Sequence, residues 1–370
     1  MNFPVKTKKL GFGCMRLPVD ADKNVIIPDF QKMVDFFMAS GFNYFDTASI
    51  YIGGNSELAL KECLSKKYPR DSFILTNKLS ESLFEKEEDI IPLFNKQLDV
   101  CGVDYFDFYL MHAQSSKNYE KYTTCRAYEI ASELLNQGKI KHLGISFHDK
   151  ADVLDRILTD HPEVEVVQLQ FNYLDYDDNN VQSKLCYEVC VKHDKPVIVM
   201  EPVRGGKLVK MCDEAEALIN ADRKYSNAGY AIKFAASFDN VMTVLSGMSN
   251  MEQLSDNISY MTDFTPLNDT EIQTLFKVRD ILRGENYIPC TFCRYCTDGC
   301  PMNIDIPRIF NCMNNQRIFK ENSKARYQNF TSRENNGKAS DCIKCGKCEK
   351  ACPQSLNIRE LLDTAKEMFE

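Results

Sequence analysis

The sequence predicts an α/β protein, a (β/α)8 TIM barrel followed by a C-terminal cysteine-rich domain. Eight short apolar runs alternate with longer amphipathic stretches over roughly 250 residues, which is the size and order of a (β/α)8 barrel. The chain has 370 residues, enough for about two domains. Nine of its sixteen cysteines lie in residues 290–370, so the end of the chain differs in kind from the rest.

The eight apolar runs are the predicted strands. They are rich in β-branched and aromatic residues, and several lack alternating polar positions, as expected of parallel strands that are buried on both faces. In chain order they are Lys9–Met15, Phe42–Ala48, Phe73–Leu79, Tyr105–His112, Ile140–Phe147, Val164–Asn172, Pro196–Val203 and Val241–Gly247. The segments between them have helical spacing, as in Glu87–Val100, whose apolar positions are Ile90, Ile91, Phe94 and Leu98.

A doubly wound open sheet is the alternative fold, but it usually has fewer repeats and an early glycine loop that binds phosphate. The first strand contains Gly11 and Gly13, yet Arg16 occupies the position of the third glycine. The barrel therefore remains the favoured interpretation.

We expect the barrel domain to span residues 1–284 and the cysteine-rich domain residues 285–370. Asp269–Arg283 has the pattern of one more helix, and residues 284–286 resemble a stop followed by a linker. Residues 313–340 are polar, and the sequence leaves open whether they form a solvated helix pair or a mobile insertion.

Composition and charge limit the class of protein. The chain has 45 Lys and Arg residues against 53 Asp and Glu residues, a net charge of −8, and no basic block, which argues against binding of nucleic acid. No apolar run approaches the ~18 residues of a membrane span, and no apolar segment follows the first lysines as in a signal peptide. We therefore expect a cytoplasmic protein with no membrane partner. Cysteines stay reduced there, and a dense cluster of them is more often metal-binding than disulfide-bonded.

Two copies of one cysteine motif make up the final domain. Cys-x2-Cys-x2-Cys-x3-Cys-Pro begins at Cys290 and again at Cys342, and each cysteine of the second copy lies 52 residues after its counterpart. Soft thiolates at this spacing favour iron–sulfur clusters. Two structural zinc sites are the alternative, because four thiolates also suit tetrahedral zinc.

In two-cluster ferredoxins, the cysteine before proline binds the other cluster. This rule assigns Cys290, Cys293, Cys296 and Cys352 to one [4Fe-4S] cluster, and Cys342, Cys345, Cys348 and Cys300 to the second. The domain resembles a two-cluster ferredoxin of the bacterial type. The 41 residues between Cys300 and Cys342 favour a helical version of that ferredoxin-like domain.

Four candidate catalytic residues lie at or just after the ends of adjacent strands. The second strand ends in Asp46, with Tyr51 in the next loop, and the third and fourth strands end in Lys78 and His112. Each has an ordinary structural alternative, such as a cap, a surface aromatic, a solvated charge or a core histidine. Active sites of these barrels lie at the carboxyl ends of the strands, so their joint placement predicts a catalytic group.

These residues and their neighbours resemble the catalytic tetrad of the aldo-keto reductase family. The matching stretches are Phe45-Asp46-Thr47-Ala48-x2-Tyr51, Thr76-Asn77-Lys78 and Leu110-Met111-His112, and the resemblance covers roughly residues 8–280. With its cysteine-rich domain, the whole chain resembles the ferredoxin-fused members of that family.

The resemblance implies hydride transfer between a nicotinamide and a carbonyl or alcohol substrate. Tyr51 is then the general acid, and a nearby Lys78 lowers the phenol pKa from its ordinary value of ~10. Asp46 holds Lys78, and His112 orients the carbonyl. The hydride comes from the nicotinamide, because no side chain can supply one.

The resemblance also implies cofactor contacts. Ser146 and Gln168 match the residues that bind the carboxamide, although Phe147 replaces the usual neighbouring asparagine. The pyrophosphate loop matches Arg204, Gly205, Gly206 and Leu208, and the adenosine end matches Gly247, Ser249, Gln253 and Asn257. Because Gly247 and Gln253 replace basic residues that bind a 2′-phosphate, the cofactor is NADP or NAD.

Three alternative hypotheses about the function follow from these observations. The first is a nicotinamide-dependent reductase of a small carbonyl or alcohol substrate, with clusters that are structural or regulatory. The second is an electron-transfer enzyme whose clusters relay single electrons to or from a redox partner protein. A binding protein that reuses the barrel is the third, and the intact tetrad counts against it.

Overall fold

A computed structural model describes residues 3–179, 181–221, 224–284, 287–288, 290, 294–319, 322–352 and 354–370. The described residues form two compact units. The first takes those within Met1–Asp177, Val181–Val209 and Asn220–Leu275, and the second those within Asp178–Asn180, Lys210–Ile219 and Phe276–Glu370. No helix in these described ranges is long and apolar enough to cross a membrane.

The first unit contains a closed parallel barrel, in which each strand pairs with the next one in the sequence and the eighth strand pairs with the first. The predicted (β/α)8 barrel is therefore confirmed. Its strands are β1 (Leu10–Gly13), β2 (Tyr44–Asp46), β3 (Ile74–Leu79), β4 (Phe106–Gln114), β5 (Ile140–Phe147), β6 (Val166–Gln170), β7 (Val197–Met200) and β8 (Val241–Ser246).

Helices follow the strands and continue past the eighth. They are α1 (Ile27–Ala39), α2 (Asn55–Leu60), α3 (Ile90–Cys101), α4 (Tyr119–Thr124), α5 (Ala127–Asn136), α6 (Ala151–Asp160), α7 (Ser183–Lys192), α8 (Asp213–Ile219), α9 (Asn227–Ala236), α10 (Met251–Met261) and α11 (Asp269–Arg283). The segment predicted as Glu87–Val100 begins with a short 3-10 turn, Glu87–Asp89, before α3.

Large side chains fill the interior of the barrel. One buried cluster contains Tyr44, Ile74, Phe108, Leu110, Val166, Ile198, Met242 and Leu245. Gly144 on β5 makes room for it, because a Cβ there would lie 2.5 Å from Leu110 Cδ2 and 2.6 Å from Val166 Cγ1. This packed interior leaves the strand ends and their loops as the place for chemistry.

The second unit is helical in its described part, apart from one isolated bridge between Ile304 and Gly337. Its further helices are α12 (Tyr295–Asp298), α13 (Ile306–Phe319), α14 (Lys324–Thr331), α15 (Lys347–Lys350) and α16 (Ile358–Phe369). Tyr327 and Phe330 of α14 are buried, so the described part of residues 313–340 is not a solvated pair of helices.

The sequence duplication continues into the core of this unit. Ile304, Ile306 and Phe310 are buried after the first cysteine motif, and Ile358 and Leu362 are buried at the matching offsets after the second. The two copies thus share one apolar core.

Candidate active site and cysteine pockets

The structure brings the four predicted catalytic residues together. Asp46 ends β2, Tyr51 begins a short turn after it, and Lys78 and His112 lie on β3 and β4. The Lys78 Nζ atom lies 2.6 Å from Asp46 Oδ1 and 4.9 Å from the centre of the Tyr51 ring. The Tyr51 and His112 rings meet edge to face with centroids 6.0 Å apart. These side chains therefore form one cluster.

Lys78 is fully buried and paired. Its Nζ donates to Asp46 Oδ1 at 2.6 Å and to the carbonyl of Thr47 at 2.9 Å. Burial lowers the pKa of Lys78, but the attraction of Asp46 and Tyr51 outweighs it, and the pKa lies above its ordinary value. Lys78 is therefore an ammonium at neutral pH, and it holds its charge in a site where an unpaired charge would be costly.

Tyr51 is a protonated phenol at neutral pH. Burial raises its pKa, Lys78 lowers it, and Asp46 adds a further rise, so that the pKa lies above the ordinary value. The sequence predicted a pKa lowered by Lys78. That influence is present, but desolvation of the phenolate is the larger effect.

His112 is neutral. Burial lowers its pKa to about 3, with Lys78 and His148 adding to the effect. Its Nδ1 atom lies 2.6 Å from the hydroxyl of Ser80, which is also buried. Among the described residues this hydroxyl has no other partner, and it can donate to Nδ1 or accept from it, depending on the ring tautomer. When Ser80 is the donor, the ring proton lies on Nε2, which can donate to a carbonyl oxygen.

A buried polar network fixes the backbone of Lys78. The Lys78 N–H donates to Asn77 Oδ1 at 2.8 Å, and the Lys78 carbonyl accepts from Gln97 Nε2 at 2.9 Å. Glu57 Oε1 in turn accepts from Asn77 Nδ2 at 2.8 Å and from Ser49 Oγ at 2.9 Å. The sequence alone assigned no role to Asn77, Gln97, Glu57, Ser49 or Ser80, although Ser80 directly follows a predicted strand.

Two predicted carboxamide contacts lie beside the tetrad. Ser146 of β5 and Gln168 of β6 are partners in register, and both are buried. Ser146 Oγ accepts from the backbone N–H of Ala113 at 2.7 Å, and Gln168 Nε2 donates to Asp46 Oδ2 at 2.9 Å. A carboxamide group bound by Ser146 and Gln168 would lie next to Asp46.

The loop after β7 contains the predicted pyrophosphate residues. Arg204, Gly205 and Gly206 have φ values of 51°, 67° and 94°, a left-handed conformation that glycine adopts readily. The Arg204 Nε atom lies 3.0 Å from both carboxylate oxygens of buried Asp175, so this arginine is held within the protein. Leu208 is buried.

The loop after β8 and the following helix α10 contain the predicted adenosine residues. Ser249 Oγ donates to the carbonyl of Arg16 at 2.8 Å, and its N–H donates to Gln253 Oε1 at 2.7 Å. Asn257 is buried, donates to Ser246 Oγ at 2.7 Å and accepts from the Tyr260 hydroxyl. The Asn257 side chain thus makes its hydrogen bonds within the protein.

In the sequence, Arg16 was considered only because it occupies the position of the third glycine of a phosphate-binding loop. It is also a basic residue. A Cβ at Gly205 would lie 3.1 Å from Arg16 Nη2, and one at Gly247 would lie 3.2 Å from Arg16 Cδ. Its exposed side chain therefore lies against the predicted pyrophosphate loop after β7 and the predicted adenosine loop after β8.

The described cysteines of the two motifs line two pockets in the second unit. Cys290, Cys296 and Cys352 line one, together with apolar side chains that include Ile306, Phe310, Leu356 and Ile358. The other is lined by Cys300, Cys342, Cys345 and Cys348. Cys293 lies outside the described residues. Each pocket thus contains the proline-linked cysteine of the other motif, and thiolates in an apolar setting fit iron–sulfur clusters.

Among the described residues, no group of three or more His, Cys, Asp or Glu side chains is arranged to hold a single metal ion. The motif cysteines of the described part instead line these two pockets.

The described residues thus form a parallel (β/α)8 barrel and a small cysteine-rich unit. The model of the Aldo/keto reductase family matches residues 9–280, and the chain belongs to this family, whose members are NAD(P)-dependent oxidoreductases. The model of a 4Fe-4S dicluster domain matches residues 289–356. The resemblance to ferredoxin-fused aldo-keto reductases is confirmed in both parts.

Individual relatives show the same similarity to reductases. The chain is 25% identical over 260 residues to an NADH-specific methylglyoxal reductase of Escherichia coli, covering 59% of this chain and 78% of the relative. It is 24% identical over 267 residues to an aldo-keto reductase of Mycobacterium avium, covering 72% and 84%.

Two solved structures share the barrel fold. The holo form of an aldo-keto reductase from Bacillus halodurans has a TM-score of 0.60 at 23% identity, covering 76% of this chain and 95% of that one. An aldo-keto reductase from Klebsiella pneumoniae in complex with NADPH has a TM-score of 0.59 at 18% identity, covering 74% and 95%.

Proposed function

We propose that the barrel transfers hydride between a nicotinamide cofactor and a small carbonyl or alcohol substrate. The observation that carries this proposal is the buried Lys78–Asp46 pair beside the protonated Tyr51 phenol and the neutral His112 ring. An acid, a charge that stabilises its conjugate base and a second hydrogen-bond donor are the groups that carbonyl reduction needs.

Each residue has a distinct part in the reduction. A bound nicotinamide supplies the hydride, and negative charge develops on the carbonyl oxygen. Tyr51 donates its phenolic proton to that oxygen, while Lys78 stabilises the phenolate that remains. His112 donates from Nε2 to the same oxygen and orients it, and Asp46 keeps Lys78 in place. In the reverse direction, the Tyr51 phenolate accepts the alcohol proton.

Ser146 and Gln168 are the proposed contacts of the nicotinamide carboxamide, and the loops after β7 and β8 are those of the phosphates and the adenosine. Exposed Arg16 adds a positive charge against both loops, which suits binding of either NADP or NAD. The E. coli relative is described as NADH-specific and the Klebsiella structure contains NADPH, so both cofactors belong in the first assay.

Two [4Fe-4S] clusters complete the proposal. Cys290, Cys293, Cys296 and Cys352 are the ligands of the first cluster, and Cys342, Cys345, Cys348 and Cys300 those of the second. We place the domain boundary between residues 284 and 285. Thiolate ligands need a reducing compartment, which favours the cytoplasm.

The Tyr51→Phe variant tests the role of the acid. Wild-type protein is first screened anaerobically with NADH and NADPH against small aldehydes and ketones, including methylglyoxal. We expect the variant to lose 10²–10⁴-fold in kcat/KM, the usual contribution of a general acid, and to retain its cofactor affinity in a fluorescence titration.

Tyr68→Phe is the matched control, because that phenol donates to Asp35 at 2.6 Å near the surface, away from the tetrad. Full carbonyl reduction by Tyr51→Phe would show that another group supplies the proton.

A further inference from the structure

The second cysteine motif forms an exposed surface. Cys345 is exposed, and neighbouring Ile343 is 60% exposed, which is unusual for a large apolar side chain. Both line the same pocket as Lys347. We call Ile343, Lys344, Cys345, Lys347 and Lys350 the lysine surface. It joins an apolar contact, a proposed cluster ligand and three positive charges.

This surface is positive in a protein whose net charge is −8. Lys347 and Lys350 are exposed and make no ion pair with any described residue, whereas Lys344 pairs with Asp363 at 3.0 Å. Glu349, the acidic residue within α15, is itself neutralised by Arg359 at 2.8 Å. The two unpaired lysines therefore present their charge to solvent.

The duplicated motif provides an internal comparison. At the positions 52 residues earlier, the sequence has Thr291, Phe292, Tyr295 and Asp298 in place of Ile343, Lys344, Lys347 and Lys350. Cluster binding alone therefore does not require the lysines. They are a property of the second motif, which indicates a task that the first motif does not have.

We propose that the lysine surface docks a small acidic protein that carries single electrons, such as a ferredoxin. This inference rests on the proposed ligands of the second cluster. A brief encounter for electron transfer needs a small contact and attractive charges, since opposite charges speed association and a small interface releases quickly. Ile343 provides the apolar contact and the lysines the attraction.

The transfer balances as one electron. The reduced carrier would lose one electron to a cluster bound through Cys345, with no proton or bond exchanged. Carbonyl reduction with a nicotinamide, which moves two electrons as hydride, remains a separate reaction of the barrel.

The test is the rate at which a reduced acidic ferredoxin bleaches the cluster absorbance of the whole protein in anaerobic stopped flow. We expect the Lys347→Glu/Lys350→Glu variant to react at least about tenfold more slowly at low ionic strength and to approach the wild-type rate at high salt. Ile343→Ser is expected to slow the reaction at both. Calorimetric binding of oxidised ferredoxin should weaken in the same order.

Reduction by one-electron-reduced methyl viologen, a small cation that needs no docking site, serves as the comparison and should not slow in the variants. Lys139→Glu/Lys277→Glu is the matched control, since both lysines are exposed and the change in net charge is equal.

Variants that match wild type with ferredoxin at low salt would overturn the docking proposal, as would a wild-type protein that viologen reduces and ferredoxin does not. Binding to anionic lipid vesicles in place of ferredoxin would also overturn it. A wild-type protein without iron–sulfur absorbance would instead contradict the proposed cluster ligands themselves.

Discussion

At the scale of single residues, the position of one proton on His112 decides what that ring can do. A neutral imidazole donates from one nitrogen and accepts at the other. The Ser80 hydroxyl lies 2.6 Å from Nδ1 and has no other partner among the described residues, and we infer that it donates to Nδ1 and so selects the form with the ring proton on Nε2. Ser80 is thus a positioning residue, which acts on a substrate only through His112.

The Ser80→Ala variant tests this role. Loss of one neutral hydrogen bond, worth about 1 kcal/mol, should allow both tautomers and lower kcat/KM for carbonyl reduction about fivefold. Nitrogen-15 NMR of the five histidines should show the His112 shifts moving toward a tautomeric average. Ser80→Thr keeps the hydroxyl and should keep the wild-type shifts. Unchanged His112 shifts in Ser80→Ala would disprove the assignment.

The depressed pKa of His112 also sets a pH dependence. Because the pKa falls from 6.5 to about 3 on folding, the neutral ring favours the folded state above pH 6.5, and this contribution declines as the pH falls toward 3. In an NMR titration, the His112 shifts should therefore stay constant from pH 8 to 5. A midpoint near 6.5 would contradict the buried, neutral ring.

At the scale of elements, α2, α3 and β3 are joined by the buried network around Lys78. Glu57 on α2 holds Asn77, and Gln97 on α3 donates to the Lys78 carbonyl and accepts from Tyr109 at 2.6 Å. The strand segment that carries Lys78 is thereby held from both sides, so the ammonium does not rely on Asp46 alone for its position.

Glu57→Gln tests the charge in that network. Burial raises the pKa of Glu57 above its ordinary 4.5, so ionisation of Glu57 destabilises the folded state. This cost is absent below pH 4.5 and grows as the pH rises through the folded pKa. Glutamine can accept the same two hydrogen bonds without a charge. The Tm of the variant relative to wild type should therefore increase from pH 5 to pH 8, and a constant or falling difference would contradict the argument.

The tetrad could be predicted because strand ends can be read from apolar runs, and the carboxyl ends of parallel strands meet at one edge of a barrel. The supporting contacts could not. Gln97 lies 19 residues from Lys78, and periodicity gives the buried face of its helix without giving the atom that it touches. Arg16 was hidden for a similar reason, since its contact with Gly205 and Gly247 depends on three loops at once.

At the scale of the whole molecule, our proposals assign two kinds of redox chemistry to one chain. The proposed hydride transfer uses residues from three neighbouring strands and their loops, and the second unit places cysteines from both motifs around each pocket. Because each pocket contains a proline-linked cysteine from the other motif, the two pockets depend on a single fold. Their proposed clusters are thereby tied to one core, while the tetrad draws on the barrel alone.

Cys345→Ala separates the two chemistries. The change removes one thiolate from the second pocket, so iron content should fall from about eight to about four atoms per chain, and electron acceptance from ferredoxin should be lost. Carbonyl reduction with NADH or NADPH should stay within about twofold of wild type, since hydride transfer from the nicotinamide and proton transfer from Tyr51 need no single-electron step. Cys212→Ala, an exposed thiol outside both motifs, controls for loss of a cysteine. If carbonyl reduction falls in proportion to the lost iron while the barrel stays folded by circular dichroism, the clusters form an obligatory relay, and the barrel does not act alone.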